Sequence, residues 1–146
     1  VHGRLPLEGG EGLVIEDYGH HPKEIAVTLE AVRSAWPGQR VVMLFQPHRF
    51  SRTRDLFAEF VDVLSEVDEL ALLPIYAAGE QPDSTVSSEK LATKIMQKTN
   101  CHPKLFVDLP TAEAQIRDLL EPNDILLVQG AGDVGTLAQR VAVPSE

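Results

Sequence analysis

An arginine-rich segment is the part of the sequence best suited to bind an anion. Arg49, Arg52 and Arg54 fall within six residues and are preceded by His48. Guanidinium groups bind carboxylate or phosphate through paired hydrogen bonds, and the free N–H groups at a helix start also favour an anion. The segment therefore predicts a clamp for an acidic substrate group, with His48 as an additional donor. The alternative is that the arginines only pair with surface acids such as Asp55.

A second segment places Asp17, Tyr18 and the adjacent pair His20 and His21 directly after an apolar run. Neighbouring histidines point in different directions, and no third ligand lies at a motif spacing, so we assign no metal site. We expect one histidine to face the site as a hydrogen-bond donor and the other to cap a helix or pack locally, although neither need have a role. Asp17 is suited to accept bonds from ribose hydroxyls, or to cap the following helix.

A third segment has the spacing G-x-G-x-x-G, with Gly130, Gly132 and Asp133 in its first part. This spacing is typical of dinucleotide sites, but there it opens a βαβ unit and is followed by an acidic residue about 20 positions later. Here the segment is too close to the end of the sequence for another strand, which argues against NAD or FAD. We interpret it as a tight substrate-side turn. No Walker-type phosphate loop occurs, so the chain alone has no phosphate cradle.

Strand and helix patterns alternate along the chain and predict how these segments are positioned. The first 12 residues predict an irregular or short-stranded beginning. Apolar runs predict strands at 13–15, 41–45, 69–75, 105–107 and 124–129, and helical spacing predicts helices at 22–36, 54–67, 87–98, 111–120 and 133–142. Buried strands separated by helices pair in parallel, because right-handed crossovers cover both faces of the sheet. The prediction is a Rossmann-like α/β fold with an open, mostly parallel sheet and helices on both faces.

Each of the three polar segments follows a predicted strand, and ligands of open parallel sheets bind at the carboxyl ends of the strands. The segments are therefore expected to share one edge of the sheet. A fourth segment at that edge, residues 76–82, is long and contains Tyr76 and Glu80. The connections at the opposite edge carry no unusual residues, so function is predicted at one edge only.

Composition limits the class of protein. The chain has 146 residues, enough for a single domain over 1–146 with its own core, and its 13 basic against 22 acidic residues give a net charge of −9. This balance disfavours nucleic acid and anionic membranes as partners. No apolar run approaches the roughly 18 residues of a membrane span, and no secretory signal is evident. With a single cysteine, Cys101, a cytoplasmic location is expected.

Taken together, the motifs at 17–22, 46–57 and 128–135 closely resemble the C-terminal domain of the Mur ligases. The resemblance covers the chain from about Gly3 to Ala142, and the loop from Tyr76 to Glu80 also resembles the family. It implies a three-domain enzyme of peptidoglycan synthesis, whose N-terminal domain for a UDP-sugar and central domain for ATP and Mg²⁺ are absent from this chain. The missing phosphate loop is then expected, and the isolated domain should be inactive.

The motifs match best the family members that join L-alanine to UDP-N-acetylmuramate. The resemblance implies that ATP activates the muramate carboxylate as an acyl phosphate, which L-alanine attacks after the C-terminal domain closes on the central one. It also implies roles, residue by residue: near the L-alanine carboxylate and the acyl phosphate, His48, Arg49 and Arg52; beside them, His20 and Tyr18; near the nucleotide, Asp17 and Arg4. No definite role follows for Gly130, Gly132 and Asp133 beyond a substrate-side turn.

Three alternatives remain open from the sequence. The nearest is the recycling ligase that joins a tripeptide to the same UDP-sugar, although its motifs differ around Gly19 and residues 46–49. A non-catalytic nucleotide- or anion-binding module would use the same arginines without a reaction. A nicotinamide oxidoreductase ranks third, because only the glycine spacing favours it.

Overall fold

A six-stranded sheet lies at the centre of the structure, a computed structural model that describes residues 3–143. Its strands are β1 (Gly3–Leu7), β2 (Gly10–Asp17), β3 (Val41–Phe45), β4 (Glu69–Leu72), β5 (Lys104–Leu105) and β6 (Ile125–Gln129). The spatial order is β1-β2-β6-β3-β4-β5; β1 is antiparallel to β2, and every other neighbouring pair is parallel. The predicted open, mostly parallel sheet is confirmed.

Helices cover both faces of this sheet, as predicted. They are α1 (Pro22–Ala35), α2 (Phe50–Asp55), α3 (Phe57–Leu64), α4 (Ser88–Lys98), α5 (Leu109–Gln115), continued by a 3₁₀ turn at Ile116–Leu119, and α6 (Gly135–Val141). One core cluster packs the sheet against α1, α3 and α4, and a second packs it against α5 and α6. Successive residues of β3 enter opposite clusters, which explains its uninterrupted apolar sequence. Within residues 3–143, no helix combines the length and apolarity needed to span a bilayer.

The strand predicted at 69–75 ends at Leu72, and the strand predicted at 105–107 is Lys104–Leu105. Two other regions differ more from the sequence prediction. Residues 3–17 form a regular hairpin, in which β1 and β2 pair from Gly3 opposite Val14 to Leu7 opposite Gly10. The helix predicted at 54–67 is two helices, because the chain leaves helical geometry at Leu56, where φ is −113° and ψ is 24°. The shorter helix α2 is mostly polar and has no apolar periodicity, so only α3 produced a detectable helical pattern.

An ion-pair network connects the starts of β3, β4 and β6, at the edge of the sheet opposite to the predicted site. Arg40 precedes β3, and its Nη2 lies 2.7 Å from Oδ2 of Asp124, which precedes β6. The same guanidinium reaches Glu69 at the start of β4 and the carbonyl oxygen of Leu119. Hydrogen bonding to Asp124 raises the pKa of Arg40. The network thus holds the first residues of three neighbouring strands in register.

Candidate functional site

The three polar segments meet at one edge of the sheet, which we call the rim: the edge at which β2, β3, β4 and β6 end. Asp17 and Phe45, the last residues of β2 and β3, both pair with Gln129, the last residue of β6. The segments that follow these strands are therefore side by side. The fourth segment joins them through a parallel bridge between His48 and Tyr76. The prediction that the segments share an edge is confirmed.

A row of three rings crosses the rim. The centroids of His20 and His48 are 5.8 Å apart, and those of His48 and Tyr76 are 5.6 Å apart with the planes inclined by 19°. His48 is the central ring and is partly buried, whereas Tyr76 is 39% exposed. Tyr18 is 64% exposed on the segment that carries His20. The row thus presents aromatic and imidazole surface from three different segments.

The two histidines of the pair take the separate positions expected of them. His21 is the N-cap of α1, and its Nδ1 accepts a hydrogen bond of 3.1 Å from the N–H of Lys23. The carboxylate of Glu24 accepts from the N–H groups of His20 and His21, and these bonds lower the pKa of Glu24. With His21 engaged in capping, His20 is the member of the pair that lies beside His48.

Arg52 determines which nitrogen of His48 carries a proton. Its Nη1 donates to the His48 carbonyl oxygen at 2.9 Å and lies 3.2 Å from Nδ1 of the ring. A guanidinium can only donate, so Nδ1 accepts and the neutral ring carries its hydrogen on Nε2. Partial burial, followed by the positive charges of Arg52 and His20, lowers the pKa of His48. His48 is therefore a neutral donor through Nε2 at pH 7.

Arg49 has an unusual backbone and an unoccupied side chain. It precedes α2 with φ 75° and ψ 138°, a region that non-glycine residues rarely adopt. Its N–H donates to the carbonyl oxygen of Tyr76 at 2.7 Å, and its own carbonyl oxygen accepts from the hydroxyl of Thr53 at 2.8 Å. The residue is exposed, and among residues 3–143 its guanidinium has no hydrogen-bond or ion-pair partner. Arg49 is thus held by its backbone and left free at its charged end.

Arg54 follows the alternative interpretation. Its Nε lies 2.9 Å from Oδ1 of Asp55, and its Nη1 lies 3.0 Å from Oδ2 of Asp83. These hydrogen bonds raise the pKa of Arg54. The clamp suggested by three arginines is therefore reduced to Arg49 and Arg52.

The start of α2 also differs from the expectation of free N–H groups. The carboxylate of Glu80 accepts hydrogen bonds from the N–H of Phe50 at 2.6 Å and of Ser51 at 3.1 Å, as well as from the Ser51 hydroxyl. The hydroxyl bond is the largest of the causes that lower the pKa of Glu80. An anion of the protein itself therefore occupies this helix start, and a ligand anion at the rim would be met by guanidinium groups.

Asp17 lies at the rim but takes part in an internal network. Its Oδ2 accepts from the N–H of Gly19 at 2.9 Å, from Oγ1 of Thr28 at 3.1 Å and from Nε2 of Gln129 at 2.8 Å. Gln129 is fully buried and also donates to the Gly19 carbonyl oxygen. A Cβ at Gly19 would approach Oδ2 of Asp17 to 2.7 Å. The network holds the turn that presents Tyr18, whereas contact of Asp17 with a ribose stays a prediction.

The glycine turn packs against the arginine-rich segment. Nε2 of Gln46 donates to Oδ1 of Asp133 at 2.8 Å, and the N–H of Val134 donates to Oε1 of Gln46 at 3.2 Å. A Cβ at Gly132 would lie 2.4 Å from that Oε1 and 2.9 Å from Cγ of Tyr76. Gly130 has φ 149°, and a Cβ there would lie 2.9 Å from the carbonyl oxygen of Gln46. The glycines thus permit close contact between two rim segments.

Arg4 is placed away from the other predicted residues. It pairs with Leu13 in the sheet, which is level with Ile125 at the beginning of β6. Four residues of β2 separate that level from the rim, about 13 Å at the usual rise of a strand. The side chain of Arg4 is half exposed and 3.5 Å from Glu11.

The described residues contain no group of three or more metal-binding side chains.

Sequence reasoning did not assign roles to several residues that build the rim. Gln46 and Gln129 are buried polar residues at strand ends, and their hydrogen bonds join residues that are 87 and 112 positions apart in the sequence. Tyr76 and Glu80 lie in the long fourth segment. A buried glutamine at the end of an apolar strand is a detectable signal, but its partners are set by the order of the strands.

Comparison with known proteins agrees with this geometry. The family model described as Mur ligase, glutamate ligase domain matches residues 3–132. The structure is similar to a UDP-N-acetylmuramate-alanine ligase from Thermotoga maritima, with 25% identity and a TM-score of 0.69 over 89% of this chain and 26% of that chain. The chain thus spans about a quarter of that ligase's length.

Two further solved structures share the fold. One is a domain described as a UDP-N-acetylmuramate:L-alanyl-γ-D-glutamyl-meso-diaminopimelate ligase from Haemophilus ducreyi, with 21% identity and a TM-score of 0.64 over 94% of this chain and 96% of that chain. The other is a murein peptide ligase from Psychrobacter arcticus, with 16% identity and a TM-score of 0.64 over 96% of this chain and 28% of that chain. The rim of arginine, histidine and glycine segments lies on a mostly parallel sheet. Because the model of the Mur ligase glutamate ligase domain matches residues 3–132, the chain belongs to the Mur ligase family.

Proposed function

We propose that this chain is the C-terminal domain of an ATP-dependent ligase that joins L-alanine to UDP-N-acetylmuramate. In this proposal the rim receives the amino acid when the domain closes on a central domain that lies outside the chain. The reaction forms an amide from an acyl phosphate of the muramate carboxylate and yields ADP and phosphate. ATP and UDP-sugars are cytoplasmic metabolites, so the enzyme is expected to work in the cytoplasm.

The free guanidinium of Arg49 is the observation that carries the proposal. Arg49 is exposed and has no hydrogen-bond or ion-pair partner among residues 3–143, whereas Arg52 and Arg54 are bonded to protein groups. Within the same segment, His48 has a hydrogen to donate from Nε2, because Nδ1 faces Arg52. A carboxylate has two acceptor oxygens and fits a fork of such donors. The similarity to the Thermotoga maritima alanine ligase supports L-alanine as the source of that carboxylate.

The residues of this chain would act by binding and orienting. Arg49 and Arg52 would hold the carboxylate of L-alanine or an oxygen of the acyl phosphate, and His48 would donate one further hydrogen bond without adding charge. His20, Tyr18 and Tyr76 would form the apolar and polar walls around the small substrate. The contribution of this domain would be to fix the amine against the acyl carbon, with water excluded by closure.

ATP and Mg²⁺ would be held mainly by the central domain. The described residues contain no cluster of metal-binding side chains, and Glu80 already occupies the start of α2. These observations do not fit a magnesium or triphosphate site within residues 3–143. Asp17 and Arg4 are proposed only as contacts to the nucleotide from this side of the closed enzyme.

Phosphate release by the full-length enzyme tests the proposal. The assay contains UDP-N-acetylmuramate and Mg-ATP, and the acceptor is L-alanine, the tripeptide L-alanyl-γ-D-glutamyl-meso-diaminopimelate or none. We expect release that depends on L-alanine. Release with the tripeptide alone would identify the recycling reaction, and the absence of release with either acceptor would leave a non-catalytic nucleotide- or anion-binding module.

The separated domain gives a second test. We expect the 146-residue chain to release no phosphate from Mg-ATP under the same conditions, because it lacks a phosphate loop. Measurable turnover by this chain would contradict the proposed division of labour between domains.

A further inference from the structure

The loop formed by residues 76–83 is joined to the arginine-rich segment at both of its ends. At the start of the loop, the N–H of Tyr76 donates to the carbonyl oxygen of Pro47 at 2.8 Å, and its carbonyl oxygen accepts from the N–H of Arg49 at 2.7 Å. At the end of the loop, Asp83 forms an ion pair with Arg54. The loop therefore follows the arginine-rich segment along its length.

Glu80 makes the central connection. Its Oε1 accepts from the N–H groups of Phe50 and Ser51, and its Oε2 accepts from the Ser51 hydroxyl. Helix α2 has no capping hydrogen bond from its own N-cap side chain, which is Arg49. Glu80 thus provides from another loop the carboxylate that an N-cap residue normally provides locally.

A tight turn directs Glu80 back toward α2. The N–H of Glu80 donates to the carbonyl oxygen of Ala77 at 3.0 Å, and the two residues between them have positive φ, 50° at Ala78 and 87° at Gly79. Positive φ at both central positions is typical of a type I′ turn. Such a conformation is unfavourable for alanine, and it persists here with Glu80 bonded to three donors.

The same connection bears on Arg49. This residue must keep φ 75° to turn the chain from β3 into α2, and the N–H groups that follow it in the chain are those bound by Glu80. Without Glu80 these N–H groups would lose their acceptor, and the first turn of α2 would be held less firmly, by the bonds of Arg49 with Tyr76 and Thr53. The direction in which the Arg49 side chain leaves the rim would then vary.

We propose that Glu80 is a positioning residue that holds Arg49 in the orientation required to bind the carboxylate of the incoming amino acid. This inference rests on the proposed function. Glu80 acts through the backbone of α2 and does not touch the substrate. Because its oxygens are engaged by N–H and O–H donors, it directs the turn while leaving the Arg49 guanidinium available to the substrate.

Steady-state kinetics of the full-length enzyme test this role. Glu80→Ala is expected to raise KM for L-alanine about tenfold, the size of effect expected from a displaced binding group, while KM for ATP and for UDP-N-acetylmuramate stays within about twofold. Glu80→Gln keeps one acceptor oxygen and should restore most of the affinity for L-alanine. Glu59→Ala, on the exposed side of α3, is the matched control and should behave as the unsubstituted enzyme.

Amide hydrogen exchange gives a readout that is independent of activity. In Glu80→Ala, the amides of Phe50 and Ser51 should exchange faster, while amides of β3 and β6 keep their protection. A variant that merely unfolds more easily would lose protection throughout and would lower kcat without a selective change in KM.

The outcomes separate the two ideas. If addition of L-alanine does not increase phosphate release by the unsubstituted enzyme, the proposed function fails, and the substrate role of Glu80 fails with it. If the enzyme is active with L-alanine but Glu80→Ala has an unchanged KM for it, only the positioning role is refuted. A rise in KM for all substrates together would also refute that role.

Discussion

Substituting Arg49 separates the binding contribution of its guanidinium from the strain of its backbone. Arg49→Ala removes the guanidinium and keeps a Cβ, so the backbone at φ 75° and ψ 138° remains equally unfavourable. Arg49→Gly removes both the guanidinium and the strain. A non-glycine residue in this sparsely populated region costs on the order of 1–3 kcal/mol. The two variants should therefore agree in activity and differ in stability.

The magnitudes follow from the contacts. Because the guanidinium has no hydrogen-bond or ion-pair partner within residues 3–143, its removal should leave stability nearly unchanged. Losing a charged contact to substrate costs about 2–3 kcal/mol, or about 30- to 150-fold in kcat/KM for L-alanine. In Arg49→Gly, relief of strain is partly offset by about 0.5–1 kcal/mol of chain entropy. A net gain of about 1 kcal/mol would raise Tm by about 2–4 °C.

Phosphate release by the full-length enzyme and thermal unfolding of the 146-residue chain measure the two effects. Arg117→Ala, which removes an exposed arginine from the 3₁₀ turn at the opposite edge of the sheet, controls for the change in net charge. Unchanged kinetics with L-alanine in Arg49→Ala would exclude Arg49 from the site. If Arg49→Gly were no more stable than Arg49→Ala, the backbone argument would be refuted, whatever the kinetics.

Three further predictions concern the glycine turn, the central histidine and the ion-pair network. Gly132→Ala should raise KM for L-alanine and lower the free energy of unfolding by about 1–3 kcal/mol, because the added Cβ would overlap Oε1 of Gln46. Unaltered kinetics and an unaltered Tm would contradict the close packing of Gly132. The pKa of His48 is lowered in the folded state, so the unfolded chain binds a proton at this residue more readily. The free energy of unfolding therefore keeps the full contribution of neutral His48 above pH 6.5, about the ordinary pKa of histidine, and loses it as the pH falls through the lowered pKa. Urea unfolding between pH 5 and 7.5 should show this loss in the unsubstituted chain but not in His48→Gln. If the free energy of unfolding changes with pH equally in both proteins, this role of His48 is disproved. Arg40→Met leaves the buried carboxylate of Asp124 without its main partner. The free energy of unfolding should fall by about 2–3 kcal/mol and Tm by about 5–10 °C, while activity per folded molecule is retained. A smaller shift would mean that the network contributes little to stability.

Much of the fold was predictable because its strands and helices have distinct periodicities. The strand from Val41 to Phe45 was predicted with its observed bounds, and α1 was predicted from its apolar spacing and from Pro22 at its first position. The break at Leu56 was not predicted, because α2 is held by backbone and loop contacts and has no apolar stripe. The pairing of β1 with β2 in a hairpin was not predicted, because the glycine-rich beginning indicated only an irregular or short-stranded segment before the strand at 13–15.

Part of the candidate site was predictable in the same way. Residue types after the strands indicated where His20, His48 and the arginines would lie, since parallel strands end at one edge. The sequence could not show which of the arginines bind protein groups and which remain available to a ligand. Arg54 binds Asp83, whereas Arg49 stays free, and this depends on where the loop after β4 returns.

The sequence by itself determined the α/β architecture, the polar edge of the sheet and the family resemblance, because local periodicity and residue type encode them. Only the tertiary structure decided that Glu80 closes the start of α2, that Arg52 sets the tautomer of His48, and that Tyr76 stacks on that ring. These contacts join segments through the order of strands and the path of a loop. A hydrogen bond between such segments depends on distances of a few tenths of an ångström, which no pattern along the chain specifies.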